Sequence, residues 1–315
     1  MTKLISGVIT LCFGFMTTVF SADMDASKDM PKNKPESQTS FRVGVTQPPL
    51  YTLAAALAYG SPVETLLVEK DKAGNWQIPD DITVLFWSGK ALEPELEKIL
   101  NETQQAAVAL MDAAGVHQLP KRTPADWKPP EDEDPHMESL GKGYGMVQTI
   151  RPEGEIDTIY WLDPLNAMAA LETIKMVFQG VDQRNHWAYQ ANSDQVVQAL
   201  WELDVRVSRA LHDVSNQTFV VLQDEFQYLE QRYRLTTVPA GGSAQDIVSK
   251  AKARDAKCVV ATEALDQNLQ SVLDQAGLNS IVLDPVGKRM SRAVSAYFQW
   301  FGNMVNELNN CMKSS

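Results

Sequence analysis

The sequence predicts an α/β protein of two lobes, each with a mostly parallel sheet flanked by helices, joined by one long rigid helix as in a clamshell. Three observations carry that expectation. Short runs rich in Val, Leu, Ile and Phe alternate with segments of helical apolar spacing, the pattern of parallel strands covered on both faces. The alternation gives way near residue 184 to one uninterrupted helical stripe and resumes near residue 213. The chain of 315 residues is long enough for two cores, and 44% hydrophobic with 22% charged residues is ordinary for a folded protein. This composition excludes wholesale disorder and a polytopic membrane protein.

Residues 1–21 read as a cleaved signal peptide. Lys3 supplies the positive start, Leu4 to Phe20 is mostly apolar, and Val19 and Ser21 are the small residues of a cleavage site. The apolar run is short for a membrane span, and Leu11 before Cys12 is too large for lipoprotein processing. The implied compartment is the periplasm. Residues 22–40 hold almost no apolar side chains and are expected to form a flexible leader.

The N-terminal lobe is expected over residues 41–183. Strands are read at Phe41–Thr46, Val63–Val68, Val84–Trp87 and Ala106–Met111, with a helix opening at Leu53 and another over Leu92–Leu100. Prolines, glycines and the run Glu131–Asp134 make residues 120–145 a long acidic loop. It reads as a solvated insertion; the alternative is a cation-collecting loop with His136 as its soft ligand. Asp163 and Pro164 are an N-cap and a first-turn proline, and Leu171, Ile174, Phe178 and Val181 continue at helical spacing.

The linker helix is placed at 184–212, with Val196, Leu200, Leu203, Val207 and Leu211 along one stripe from Trp187. The C-terminal lobe, 213–315, repeats the alternation. It opens with a strand at Thr218–Leu222 and a helix over Asp224–Tyr233. Ser243 and Asp246 then form a capping box for a helix to about Arg254. Strands at Cys258–Ala261 and Ser280–Leu283 flank a helix ending at Gly277, and Ser291–Asn310 closes the chain as an amphipathic helix. Two lobes on one helix leave a cleft, the expected place for a small ligand.

With 28 Lys and Arg against 40 Asp and Glu, the net charge is -12. Such a surface excludes binding to a phosphate backbone, so no nucleic-acid partner is expected. It is compatible with a cationic ligand, although acidity mostly keeps a protein solvated. Once Cys12 leaves with the signal, Cys258 and Cys311 remain as an even pair in an exported chain, for which a disulfide is the natural assignment. The alternative, two thiols of a zinc site, is poor without a nearby His. No Gly-x-Ser-x-Gly, His-Glu-x-x-His, Walker or dinucleotide fingerprint occurs, so neither an enzyme nor a catalytic residue is expected.

Several segments together carry a family resemblance: Val43–Tyr51, Leu85-Phe-Trp87, Trp161–Ala167, Tyr189–Asn192, Phe219–Leu222, Asp224–Tyr228, Cys258–Ala261, Leu283–Gly287 and Tyr297-Phe-Gln299. In this order and spacing the chain resembles the periplasmic binding proteins of zinc and manganese ABC importers, most closely the high-affinity zinc-uptake type. The resemblance covers nearly the whole mature chain. It implies the two-lobed clamshell, a monomer, an ABC permease in the inner membrane as partner, and zinc or another divalent cation in the cleft. It also implies a disulfide between Cys258 and Cys311, tying a central strand to the last helix.

The family's metal is held by three His and one acidic residue, and here those positions differ. The first His belongs to a loop after Val63–Val68, but Glu69–Pro79 is shortened and has none. Ile159 occupies the second position, Gln223 the third, and Thr262 the acidic one, with Glu263 next along. The acidic loop stands where family members often carry histidines. An amide, a hydroxyl and an isoleucine do not replace imidazoles around Zn²⁺, so a degenerate metal site is expected. His117, His186 and His212 read as surface or cap residues. The remaining cleft candidates are Tyr160, Gln223, Asp224 and Glu263, a set suited to a polar solute or to a hard cation such as Mg²⁺, Mn²⁺ or Ca²⁺. The alternative has Asp224 capping the following helix and Glu263 merely exposed. The expected function is the binding component of an ABC importer; the other reading is a periplasmic interaction or sensor protein that kept the scaffold and lost solute binding.

Overall fold

A computed structural model describes residues 41–122 and 152–313. The signal peptide, the leader and all of the acidic loop beyond Arg122 lie outside the described residues, which belong to one compact unit. Two parallel sheets organise it. The first contains β1 (Arg42–Val45), β2 (Glu64–Leu67), β3 (Val84–Trp87) and β4 (Ala107–Ala109), in the order β2-β1-β3-β4. The second contains β5 (Thr218–Val221), β6 (Thr236–Pro239), β7 (Cys258–Ala261) and β8 (Asn279–Val282), in the order β6-β5-β7-β8. The two lobes thus share one topology. In each, the chain leaves the first strand toward one side and returns to the other, creating a switch point between β1 and β3 and between β5 and β7. In open α/β sheets the carboxyl side of such a point is where ligands bind.

Residue chemistry explains the central strands. Every residue of β3 and of β7 is buried, as continuous apolar runs under two layers of helices require. In β1 the closeness of that packing demands a glycine. A Cβ on Gly44 would lie 2.7 Å from a methyl of Leu85 and 2.8 Å from methyls of Ile82 and Val68.

The helices are α1 (Pro48–Ala58), α2 (Pro94–Thr103), α3 (Pro164–Val181), α4 (His186–His212), α5 (Gln227–Tyr233), α6 (Ala244–Ala253), α7 (Gln267–Gln275) and α8 (Ala296–Lys313). Asp163 caps α3 by accepting the Leu165 N–H at 2.9 Å, with Pro164 in the first turn. Ser243 caps α6 through the Asp246 N–H. The linker helix α4 has 27 residues, about 40 Å at 1.5 Å per residue, and buries the predicted stripe together with Tyr189 and Asp204.

The structure departs from the sequence reading in several places, and α1 begins at Pro48, ahead of the opening expected at Leu53. Thr236–Pro239 is an edge strand in a segment to which the sequence reading assigns no element; a Pro at the end of an edge strand breaks no ladder. Ala106–Met111 is a strand only over Ala107–Ala109 and then tightens into a 3-10 turn at Leu110–Asp112. The helix after β5 begins at Gln227 instead of Asp224, and the last helix runs over Ala296–Lys313 instead of Ser291–Asn310.

The two sheets are bound by more than α4. One buried cluster contains residues of both, including Val43, Phe86, Phe219 and Val260. The Trp161 indole N–H donates to the Pro285 carbonyl at 2.9 Å, and the Tyr297 hydroxyl donates to the Trp161 carbonyl at 2.8 Å. The Tyr228 hydroxyl accepts the Leu119 N–H at 3.0 Å and donates to the Asp157 carbonyl at 3.2 Å. Cys258 and Cys311 form a disulfide with Cα atoms 5.5 Å apart, holding α8 to β7.

Candidate functional site

The carboxyl ends of both sheets look onto a cleft of about 1140 Å³. Trp87, Met111 and Ile159 line it from the N-terminal lobe, and Asp224, Glu225 and Val286 from the C-terminal lobe. Six acidic residues line it, Glu97, Asp112, Glu155, Asp157, Asp224 and Glu225, against the two lysines Lys90 and Lys121.

On the C-terminal side, the residues following β5 and β7 satisfy one another. The Gln223 side-chain carbonyl accepts the Thr262 N–H at 2.9 Å, so the two positions are joined by a hydrogen bond within the lobe. Asp224 does not cap α5, whose N-cap is Phe226. It accepts from Arg122 instead, through Nη2 and, at 3.2 Å, through Nε. The same guanidinium reaches Glu230 at 2.7 Å and 3.2 Å, and Glu230 also accepts from the Thr237 hydroxyl at 2.9 Å. Glu263 is exposed.

Around the cleft floor, burial shifts the acids. Asp157 is pushed up to about 7, mainly by desolvation; the Ile159 N–H pulls it back and the nearby charge of Asp224 pushes it further. Burial likewise raises the carboxyl of Glu225 and that of Glu230. Ile159 itself is buried and offers no donor.

The segment where the first histidine was sought folds on itself. Lys70 bridges to Trp76, and the Asp71 carboxylate accepts the Ala73 N–H at 2.8 Å and the Asn75 N–H at 2.9 Å. Glu69 pairs with Arg292 at 2.6 Å. His117 is held through its backbone, donating to the Asn166 side chain at 2.7 Å and accepting from it at 3.0 Å. His186 packs edge-on to Trp187, and His212 ends α4.

On the N-terminal side, Tyr160 is fully buried beneath the cleft wall, with its hydroxyl toward Ser88, the residue after β3. Sequence reasoning singled out neither Glu93, Arg122 nor Asp157. A Glu before Pro94 reads as a helix start, and an ion pair across 102 residues leaves no local trace. Among the described residues, no group of three or more His, Cys, Asp or Glu is arranged to hold a metal ion.

Residues 80–311 match the family described as zinc-uptake complex component A, periplasmic. The chain belongs to this family. The high-affinity zinc uptake system protein ZnuA of Brucella abortus (strain 2308) is 25% identical over 307 residues, covering 86% of this chain and 91% of that one. The Brucella suis biovar 1 ZnuA matches to the same extent. Among solved structures, a ZnuA crystal structure superposes with a TM-score of 0.65 at 18% identity, over 87% of this chain and 100% of that one. The Zn(II)-bound ZnuA-like domain of Streptococcus pneumoniae AdcA gives 0.64 at 16% identity, over 88% and 100%. These likenesses establish the two-lobed ZnuA fold. No helix of the described residues is long and apolar enough to cross a membrane.

Proposed function

We propose that this ZnuA-family chain is the periplasmic substrate-binding component of an ABC importer, that it delivers its cargo as a monomer to an inner-membrane permease, and that its cleft has lost the zinc-binding histidines. Family membership supports the transport role, and the sequence of residues 1–21 supports export. One observation carries the loss of the metal set: the side chain at the third ligand position, Gln223, is bonded to the backbone of the fourth, Thr262, while the second is the buried Ile159. Zinc requires about four N, S or carboxylate donors in a tetrahedron, and this side of the cleft offers none at those positions.

The cargo class follows from the lining. Six acidic residues along a cleft floored by Trp87, Met111 and Ile159, with no cluster among the described residues arranged to hold a metal ion, favour a cationic solute over Zn²⁺. Glu225 and Asp157 are the groups that would face it, beside an Asp224 already paired with Arg122. Zn²⁺, Mn²⁺, Mg²⁺ and Ca²⁺, followed by a panel of organic cations, should be titrated into the mature protein by calorimetry, alongside metal analysis of protein from the periplasm. The expected outcome is no zinc binding tighter than micromolar and measurable heat with at least one organic cation. Stoichiometric, sub-micromolar zinc in the cleft would overturn the reading.

A further inference from the structure

A charge stands at the N-terminal lobe's switch point that cleft binding does not use. After β3 the chain turns sharply at Gly89, whose φ of +129 suits a residue without Cβ, and the N–H groups of Leu92 and Glu93 both donate to the Gly89 carbonyl, at 3.2 and 3.0 Å. The turn folds Glu93 back onto the strand ends, where it is 2% exposed. One carboxylate oxygen accepts the Ser88 N–H at 2.7 Å and the other the Gln47 side-chain N–H at 2.7 Å. Among the described residues, no Lys, Arg or His forms an ion pair with it, and burial holds its carboxyl above the ordinary range.

Three hydroxyls gather at the same place. Thr46 follows β1 and is 6% exposed, while Ser88 and Tyr160 are 0% exposed. The Thr46 hydroxyl lies beside the Glu93 carboxylate and the Tyr160 hydroxyl beside Ser88. None of the three closes a hydrogen bond of good geometry. Buried hydroxyls are normally paired, and even where Thr46 leans on Glu93 and Tyr160 on Ser88, three buried hydroxyls around one carboxylate keep oxygen lone pairs that no donor among the described residues fills.

We infer that Thr46, Ser88, Glu93 and Tyr160 form a buried site for a hard monovalent cation, sodium or potassium. The donors are all oxygen, which selects a hard ion. Their summed charge is that of one carboxylate, which one positive charge neutralises and a divalent ion would exceed. The place is the switch point of a parallel sheet. An ion there would brace the Gly89–Glu93 turn, part of the cleft wall. The inference is independent of what the cleft itself binds.

The test compares thermal unfolding of the mature full chain at pH 8 in NaCl, KCl and N-methyl-D-glucamine chloride of equal ionic strength. Sodium or potassium should raise Tm by about 2–4 °C over the organic cation, and the larger rise names the ion. Glu93→Gln should abolish that difference. Should this variant fold poorly, Ser88→Ala and Thr46→Val should each cut the difference by half or more. A crystal soaked in thallium(I) should show an anomalous peak bounded by Glu93, Ser88 and Tyr160. Equal Tm in the three salts, or a thallium peak elsewhere only, would overturn the proposal. So would a Tm that responds to acidification and not to the alkali ion, because a proton would then be what neutralises Glu93.

Discussion

The two switch points of this molecule share a topology and differ in how their polar groups are satisfied. In the C-terminal lobe, the residues after β5 and β7 bond to each other, and the acids of the following segment, Asp224 and Glu230, share the guanidinium of Arg122. In the N-terminal lobe, the residues after β1 and β3 carry hydroxyls that close no hydrogen bond of good geometry among the described residues, and Glu93 faces amide donors and the Thr46 hydroxyl with no cation. A repeated topology therefore fixes where a site can form and leaves its occupancy to a handful of side chains. At one switch point the polar groups are closed by internal bonds; at the other, buried hydroxyls keep lone pairs that no donor among the described residues fills.

The largest expected effect comes from making the first region resemble the second. Arg122→Met removes the cation from Asp224 and Glu230, the latter nearly fully buried, and leaves both without it. Breaking a buried ion pair by deleting one partner costs about 3–5 kcal/mol. Chemical denaturation of the variant at pH 7 should show a loss of that size. A loss under about 1 kcal/mol would mean that the two acids are satisfied by other groups and that the contrast between the lobes is smaller than drawn.

A smaller effect should follow from the acid between the lobes. Asp157 is raised from 3.8 to about 7, so the folded state binds more protons than the unfolded one between those values. Stability therefore falls as pH rises from about 4 to 7 and levels off above. Asp157→Asn keeps an acceptor for the Ile159 N–H and removes the buried charge. It should leave stability near pH 4 unchanged and raise it by a few kcal/mol at pH 8, measured as unfolding free energy against pH. Part of the slope should persist, because Glu93, Glu225 and Glu230 are raised by burial in the same direction. A variant with the wild-type slope would show that Asp157 is charged in the fold without penalty.

What the sequence made legible divides along the same line. Strands β3 and β7 are continuous apolar runs and α4 carries a long unbroken stripe, so local chemistry announces them. Strand β6 is half threonine and ends in proline, and only its pairing with β5 makes it a strand. The expectation for Ile159, Gln223 and Thr262 rests on segment order alone. The bond between Gln223 and Thr262 spans 39 residues, and the Arg122 cluster spans 102 and 108, distances at which no periodicity carries information. Tyr160 shows the same limit: its type suggests a cleft donor, whereas the 3-10 turn at Tyr160–Leu162 directs it into the interior.

The finest test compares the two strand ends directly. In N-methyl-D-glucamine chloride, Gln223→Ala leaves the Thr262 N–H without its acceptor and should cost about 1 kcal/mol, the net worth of a hydrogen bond at a half-buried site. Under the same conditions Ser88→Ala removes a hydroxyl that closes no hydrogen bond of good geometry, keeps the backbone N–H that serves Glu93, and should cost less than about 0.5 kcal/mol. Equal losses would mean that the Ser88 hydroxyl is satisfied inside the fold, and the N-terminal strand end would then be as closed as the C-terminal one. A gap that widens when sodium or potassium is added would tie the excess to the hydroxyls themselves, since Gln223 lies in the other lobe and has no reason to respond to an ion held by Glu93.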